Sequence, residues 1–256
     1  MNLRKCILTE NDCYKAGRKI KPVGIVVHST GANNPALRRY VQPDDGLLGE
    51  NRNGNHWNRP GVEKCVHAFI GKLRDGSIGT YQTLPWNHRS WGCGSGKKGS
   101  YNNSHIQFEI CEDDLQDGMY FRAVYREAAQ LCAYLCREYG ISVENIVCHK
   151  EAHRQGYASD HGDVEHWWPK LGKTMDDFRR EVRQELEKEE RAMDYKEFKE
   201  HMQRFLDEQA HEELPQWAKE ELEEAKEAGI TDGTAPMSFI PRYQAAIMAK
   251  RAAKHE

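Results

Sequence analysis

Two short apolar runs, each followed directly by a histidine, constrain the fold of this chain more than any other feature of its sequence. Residues 23–27 and residues 146–148 are rich in Val and Ile. Runs this short and this rich in β-branched residues are typical of buried strands. Between them, apolar residues recur at helical spacing over residues 121–136, and Gly140 ends that pattern. Strands alternating with helices predict an α/β fold with a mixed central β-sheet flanked by helices.

Other segments fit the same layered fold. In residues 106–110 three apolar side chains fall on one face of a strand, which places Gln107 and Glu109 together on the other face. Residues 66–82 alternate in polarity around a turn at Asp75 and predict a β-hairpin. The segments predicted as loops are residues 31–60, 86–103 and 151–168, and a charged helix is predicted from about residue 175 to residue 190.

The length and composition bound the domain organisation. A chain of 256 residues suits one well-packed domain and a smaller appendage. We predict a main domain over residues 1–182, a charged helical linker over residues 183–196 and a small helical module over residues 197–256, which has its own apolar set. The formal net charge of -3 gives no basic surplus to attract nucleic acid. No stretch approaches the roughly 20 apolar residues of a membrane span and no signal peptide is evident, so we expect a cytoplasmic chain at synthesis.

The eight cysteines contain no CxxC pair and are scattered among predicted strands and helices. We expect free thiols, because disulfides need an oxidising compartment that the sequence does not signal.

Histidines gather near the two predicted strand ends and in the loop that follows the second. His28 and His149 come directly after the apolar runs, and catalytic zinc typically takes three protein ligands from His and Asp or Glu. The residues left open for the third ligand are His161, Asp160 and Asp163. The alternative is that histidines in a polar loop are simply exposed. The HExxH signature of helical zinc proteases is absent.

Six sequence strings, taken together and in order, resemble the type-2 N-acetylmuramoyl-L-alanine amidases, most of all those of phages and prophages of Gram-positive bacteria. They are GIVVHSTG at residues 24–31, VHAFIG at 66–71, LPWNHRSWGCG at 84–94, IQFE at 106–109, CH at 148–149 and ASDHGDVEHWWP at 158–169. The resemblance, which extends to peptidoglycan-recognition proteins, covers residues 20–182. It implies a mixed sheet flanked by helices, with one zinc ion in a surface groove.

The resemblance also implies roles for individual residues. His28 and His149 match the first two zinc ligands of the family, and Asp163 is the best match for the third, with His161 as the other candidate ligand. A lysine that steadies the developing oxyanion in many relatives is replaced here by His161. Glu109 matches the glutamate that acts as general base, although a strand glutamate can also be merely solvated.

The same comparison suggests how the chain meets its substrate. Trp86, His88 and Trp91 are candidates for lining the groove, although tryptophans in a glycine-rich loop are equally often packing anchors. The family's Trp-His pair is replaced here by Trp91-Gly92. Residues 214–251 resemble a single S-layer-homology repeat, which suits a module that binds a cell-wall polymer, and a stabilising helical hairpin is the alternative.

The resemblance implies an enzyme that hydrolyses the amide bond between N-acetylmuramic acid and L-alanine in bacterial peptidoglycan. A phage enzyme without an export signal would reach the wall through a holin or after lysis. Two alternatives stay open at this stage: a peptidoglycan-binding protein without catalysis, and a cytoplasmic amidase that recycles soluble muropeptides.

Overall fold

A mixed six-stranded sheet forms the centre of the fold. The computed structural model describes residues 1–253, with the side chains of residues 189–193 excepted. The strands are β1 (Leu3–Lys5), β2 (Gly24–Ser29), β3 (Ala68–Lys72), β4 (Ile78–Gln82), β5 (His105–Ile110) and β6 (Ile146–Cys148). Their order in the sheet is β1-β4-β3-β5-β2-β6. Only the β3–β4 hairpin is antiparallel among the strand pairs of the described chain, which confirms the predicted mixed sheet.

The helices are α1 (Asp12–Ala16), α2 (Gly118–Tyr139), α3 (His149–Gln155), α4 (Met175–Ala210), α5 (Gln216–Glu227) and α6 (Arg242–Ala252). The longest predicted amphipathic helix is α2, which begins at an Asp117 cap and ends at Gly140 in the left-handed conformation, φ 63°. Its apolar face packs on the sheet, against Ile25, Ile106 and Phe108 among others. This burial covers one face of the sheet with a continuous hydrophobic core.

A second apolar cluster lies beneath residues 31–60, the segment predicted as a long surface loop. The segment contains a short 3-10 turn at Leu37–Arg39 and is otherwise irregular up to residue 60. Tyr40 stacks on Phe69 of β3 with ring centroids 4.9 Å apart, and Trp57 meets the same ring edge-on at 4.9 Å. The backbone of this segment therefore runs over the surface, but its large side chains are anchored in a core of their own.

Two sequence expectations are corrected here. The predicted loop over residues 151–168 begins as a helix, because α3 starts directly at His149 and is capped by Cys148 and Glu151. Reciprocal hydrogen bonds between these two residues form a capping box with a cysteine in the place of the usual serine or threonine. The expectation of free thiols fails for Cys13 and Cys65, which form a disulfide, and holds for the other six cysteines.

The chain divides into two compact units, Met1–Lys188 and Glu189–Glu256. The predicted linker over residues 183–196 includes side chains outside the described residues, and the predicted module over residues 197–256 ends in three residues that also lie outside them. Within the second unit, large apolar side chains of the predicted apolar set are exposed: Phe198, Phe205, Trp217, Phe239 and Ile247. No helix in the described part of the chain has the length and apolar character needed to cross a bilayer.

Candidate metal centre

Three side chains from separate parts of the chain converge at one edge of the sheet. His28 is the second-last residue of β2, His149 is the first residue of α3, and Asp163 follows α3 in the chain. The Nδ1 atom of His28 lies 3.0 Å from Nδ1 of His149 and 3.0 Å from Oδ2 of Asp163, and the third side of this triangle is 3.5 Å. The parallel pairing of β2 with β6 brings both histidines to the same sheet edge.

Hydrogen bonding fixes the orientation of His28. Its Nε2 atom lies 2.9 Å from Oε1 of Gln107, a buried oxygen that can only accept, so Nε2 carries the proton. The Gln107 amide is itself held, because its Nε2 donates to Oδ1 of Asn102 at 2.8 Å. With the proton on Nε2, the Nδ1 atom of the ring faces His149 and Asp163.

The carboxylate of Asp163 is held in its charged form. Burial would raise its pKa, but the close contacts with the His149 and His28 rings outweigh burial and keep the pKa below the usual range of a carboxyl group. Two imidazoles and one carboxylate thus face a common point, which is the donor set of many catalytic zinc sites.

Glu109 stands beside this triangle. It is the register partner of His28 in the adjacent strand β5, so the two side chains point to the same face of the sheet. Its Oε2 atom is buried without a hydrogen-bond partner among the residues that the structure describes. Burial raises the pKa of Glu109 well above its usual value, and the charges of Asp163 and Glu112 add to the shift. A carboxylate in this setting is a stronger base than one in water.

His161 lies beside His149. Their ring centroids are 4.7 Å apart, and the hydroxyl of Ser159 bridges them at 3.3 Å from Nε2 of His149 and 3.0 Å from Nδ1 of His161. His161 is not part of the three-residue metal group. Asp160, the other residue left open by the sequence, pairs instead with Lys150 at 2.7 Å.

A partly buried ion pair at the groove was not expected from the sequence. Nε2 of His166 lies 2.9 Å from Oε1 of Glu112. The hydrogen bond with Glu112 raises the pKa of His166. Burial opposes ionisation of Glu112, but its hydrogen bonds with His166 and Ser29 lower its pKa all the same. His166 stood out in the sequence only as one member of a histidine-rich loop, and nothing in the sequence paired it with Glu112.

The converging residues line a groove of about 430 Å³. Its walls are formed by His28, Ser29, Thr30, Gly31, Gly92, Glu109, His149, His161, Gly162, Asp163 and His166. The groove joins the ends of β2 and β5 to the segment that follows α3.

The three residues predicted to line the groove lie elsewhere. Trp86 is buried in the main core and stacks on His67, with ring centroids 6.2 Å apart. His88 is buried and contacts Lys19. Trp91 is 46% exposed and lies under the guanidinium of Arg89. Within the described chain, that loop reaches the groove through Gly92, the residue after Trp91.

The donor set fits a zinc ion. Ligand atoms about 2.1 Å from a tetrahedral zinc lie roughly 3.4 Å from one another. The triangle formed by His28, His149 and Asp163 has sides of 3.0, 3.0 and 3.5 Å. The hydrogen bond from His28 to Gln107 is the kind of outer partner that fixes the tautomer of a metal-binding histidine.

The comparisons with known proteins identify the family of this chain. The family model of the N-acetylmuramoyl-L-alanine amidases matches residues 18–164, and the chain belongs to this family. The matched region contains all three residues of the triangle together with Glu109 and His161. A comparison with curated proteins found no match.

Solved structures align with about seven-tenths of this chain. The solution structure of the PlyG catalytic domain aligns with a TM-score of 0.50 at 22% identity, over 73% of this chain and 96% of that domain. The structure of the catalytic domain of XlyA aligns with a TM-score of 0.49 at 22% identity, over 71% and 99% of the two chains. The Staphylococcus aureus hydrolase AmiA, solved in complex with its ligand, gives 0.49 at 19% identity, over 72% and 82%.

Proposed function

We propose that this chain is a zinc-dependent enzyme that hydrolyses the amide bond between the lactyl group of N-acetylmuramic acid and the L-alanine of the peptidoglycan stem peptide. The observation that carries the proposal is the triangle of His28, His149 and Asp163 with Glu109 at its side. Membership of the amidase family supplies the substrate class. A protein that only binds peptidoglycan would not need three side chains spaced as metal ligands are. It would also not need the buried Glu109 carboxylate, whose Oε2 atom has no hydrogen-bond partner among the described residues.

Each residue has a distinct task in this mechanism. His28, His149 and Asp163 would hold the zinc ion, which supplies Lewis-acid polarisation of the carbonyl and acidifies water when bound. Glu109 takes a proton from the attacking water as its oxygen adds to the lactyl carbonyl carbon. The same carboxyl then returns the proton to the alanine nitrogen as the C–N bond breaks, which leaves a carboxylic acid and a free amine.

His161 is proposed to stabilise the oxyanion rather than to bind the metal. Its Nδ1 atom is engaged by Ser159, so its Nε2 atom is the position left to face the substrate. An imidazole N–H aimed at the carbonyl oxygen stabilises the charge that develops there. His166, which pairs with Glu112, lines the same groove as His161.

The proposal also assigns a cellular role to the chain and a binding role to the second unit. The six motif strings support a phage or prophage endolysin that meets the wall after holin-mediated or lytic release. The second unit, which contains α5 and α6, is proposed to bind a cell-wall polymer. Support for this role is the resemblance of residues 214–251 to an S-layer-homology repeat.

Digestion of purified sacculi tests the activity. We expect new N-terminal L-alanine without new reducing sugar, because the amide bond and not the glycan is cut. Glu109→Gln is the matched control, since it leaves the zinc ligands in place. Release of neither group would favour a non-catalytic binding protein. Cleavage of soluble muropeptides but not of sacculi would favour a recycling amidase.

A further inference from the structure

A second cavity of the first unit lies outside the groove and is lined by arginines. Its volume is about 630 Å³. Four arginines face it against two carboxylates: Arg38, Arg39, Arg52 and Arg74, and Asp44 and Glu50. The proposed mechanism uses none of these residues.

Both carboxylates already have partners. Glu50 pairs with Arg52 at 3.3 Å, and Oδ1 of Asp44 accepts from the backbone N–H groups of Gly46 and Gly49 at 2.9 Å each. Arg38 and Arg74, in contrast, make no ion pair among the described residues. The cavity therefore presents uncompensated positive charge.

Arg38 and Arg74 both lie beside Gly49. A methyl group placed on the Cα of Gly49 would lie 3.5 Å from Nη1 of Arg38 and 3.7 Å from Cβ of Arg74. Gly49 has a φ of 81°, a conformation that favours glycine and keeps this space open. Both arginines line the cavity, and an anion bound there would relieve the repulsion between their like charges.

Hydrogen bonds hold the segments that form the walls of the cavity. The side-chain amide of Asn51 donates to the carbonyl of Arg38 at 3.0 Å and to Oδ1 of Asn55 at 2.9 Å. The backbone of Arg74, in the turn between β3 and β4, donates to Leu47 at 2.8 Å. Long loops with this degree of internal hydrogen bonding are commonly functional.

A short stretch of chain connects the cavity to the groove. Thr30 and Gly31 line the groove, and Asn34 lines the cavity. Four residues of extended chain span at most about 14 Å. The residues of this stretch that line the groove therefore lie within that distance of Asn34, which lines the cavity. A peptide extended from the reacting amide covers the same distance in about four residues.

We infer that this arginine cavity binds a carboxylate of the stem peptide beyond its first alanine. The inference rests on the proposed function, which places the scissile amide in the groove. Guanidinium groups recognise carboxylates through paired, charge-assisted hydrogen bonds, and Arg38 and Arg74 have no competing carboxylate among the described residues.

Equilibrium binding of stem peptides to the full chain tests the inference without relying on catalysis. The probes are the tripeptide L-Ala-γ-D-Glu-L-Lys and the same peptide with its carboxylates amidated. The variant Arg38→Gln/Arg74→Gln should bind the free-acid peptide about 10-fold more weakly than the parent chain, with no change for the amidated peptide. The double variant Arg59→Gln/Arg122→Gln removes the same charge from exposed positions outside the cavity and should change neither affinity more than about 2-fold.

Three results would overturn the inference. One is equal binding of the two peptides by the parent chain, and another is equal binding of the free-acid peptide by the parent and the Arg38/Arg74 variant. The third is a variant that keeps peptide affinity but loses binding to poly(glycerol phosphate), which would assign the cavity to a wall phosphate polymer. Hydrolysis of a muramoyl peptide is measured separately, so an inactive chain that still discriminates the peptides would refute the proposed activity and leave the carboxylate site standing.

Discussion

Replacement of Gln107 by methionine should weaken zinc binding without touching a zinc ligand. Gln107 is fully buried, and its Oε1 atom is the acceptor for the Nε2–H group of His28 at 2.9 Å. Methionine has nearly the same length and fills the same space, but it offers His28 no comparable acceptor. The imidazole then loses the contact that keeps its proton on Nε2 and its lone pair on Nδ1.

The expected loss of zinc affinity follows from one lost hydrogen bond in a buried site. A buried donor left without a partner costs about 1–3 kcal/mol. The Asn102 carbonyl that Gln107 also contacts is not orphaned, because it still accepts from the backbone of Gly92 at 3.1 Å and of Cys93 at 3.2 Å. Outer partners of metal-binding histidines typically contribute 10- to 100-fold in affinity, which is about 1.4–2.7 kcal/mol and falls within the same range.

Competition against a fluorescent zinc chelator measures the affinity, and thermal unfolding of the apo chain measures folding. Ser159→Ala is the matched comparison, since Ser159 contacts His149 at a longer 3.3 Å and shares its hydroxyl with two other groups. We expect a loss below about 5-fold for that variant. A Gln107→Met affinity within 2-fold of the parent, in a folded chain, would refute the claim that Gln107 orients His28.

Three further outcomes follow from the site and the core. His149→Ala should lose both bound zinc and activity to background, and full zinc content in that variant would show that the ligand assignment is wrong. Glu109→Gln should keep its zinc while kcat falls about 100- to 10,000-fold, and a loss below 10-fold would remove Glu109 from proton transfer. Burial lowers the pKa of His67 and His105 from 6.5 to about 4. Between pH 4 and pH 6.5 these two histidines are therefore protonated in the unfolded chain but not in the folded chain. The stability contributed by these two histidines should be constant above pH 6.5 and fall by up to about 3 kcal/mol per histidine toward pH 4, as checked by urea unfolding, and a flat profile over this range would contradict the shifts.

The sequence predicted those parts of the site that depend on strands. The apolar runs located β2 and β6, and the alternation in β5 put Gln107 and Glu109 on one face. Register then brings Glu109 level with His28. These relations are local or periodic, and a single sequence carries them.

The rest depends on contacts that have no local signature. The pairing of Glu112 with His166 and the disulfide between Cys13 and Cys65 join residues that only the folded chain brings together. Trp86 shows the same limit, because a tryptophan in a loop rich in glycine can face a groove or the core, and here it packs in the core. The helical start at His149 was missed because a cysteine acts as the cap.

The order of the strands explains why residues so far apart in the chain can form one centre. β2 lies between β5 and β6, and all three run parallel, so their carboxyl ends meet at the same edge of the sheet. His28 therefore has Glu109 on one side and His149 on the other. Because side chains alternate between faces along a strand, a one-residue shift of β5 against β2 would turn Glu109 toward the α2 core and remove Gln107 from His28. The buried apolar residues of β5 oppose such a shift, so the same packing that stabilises the sheet also sets the geometry of the proposed catalytic residues.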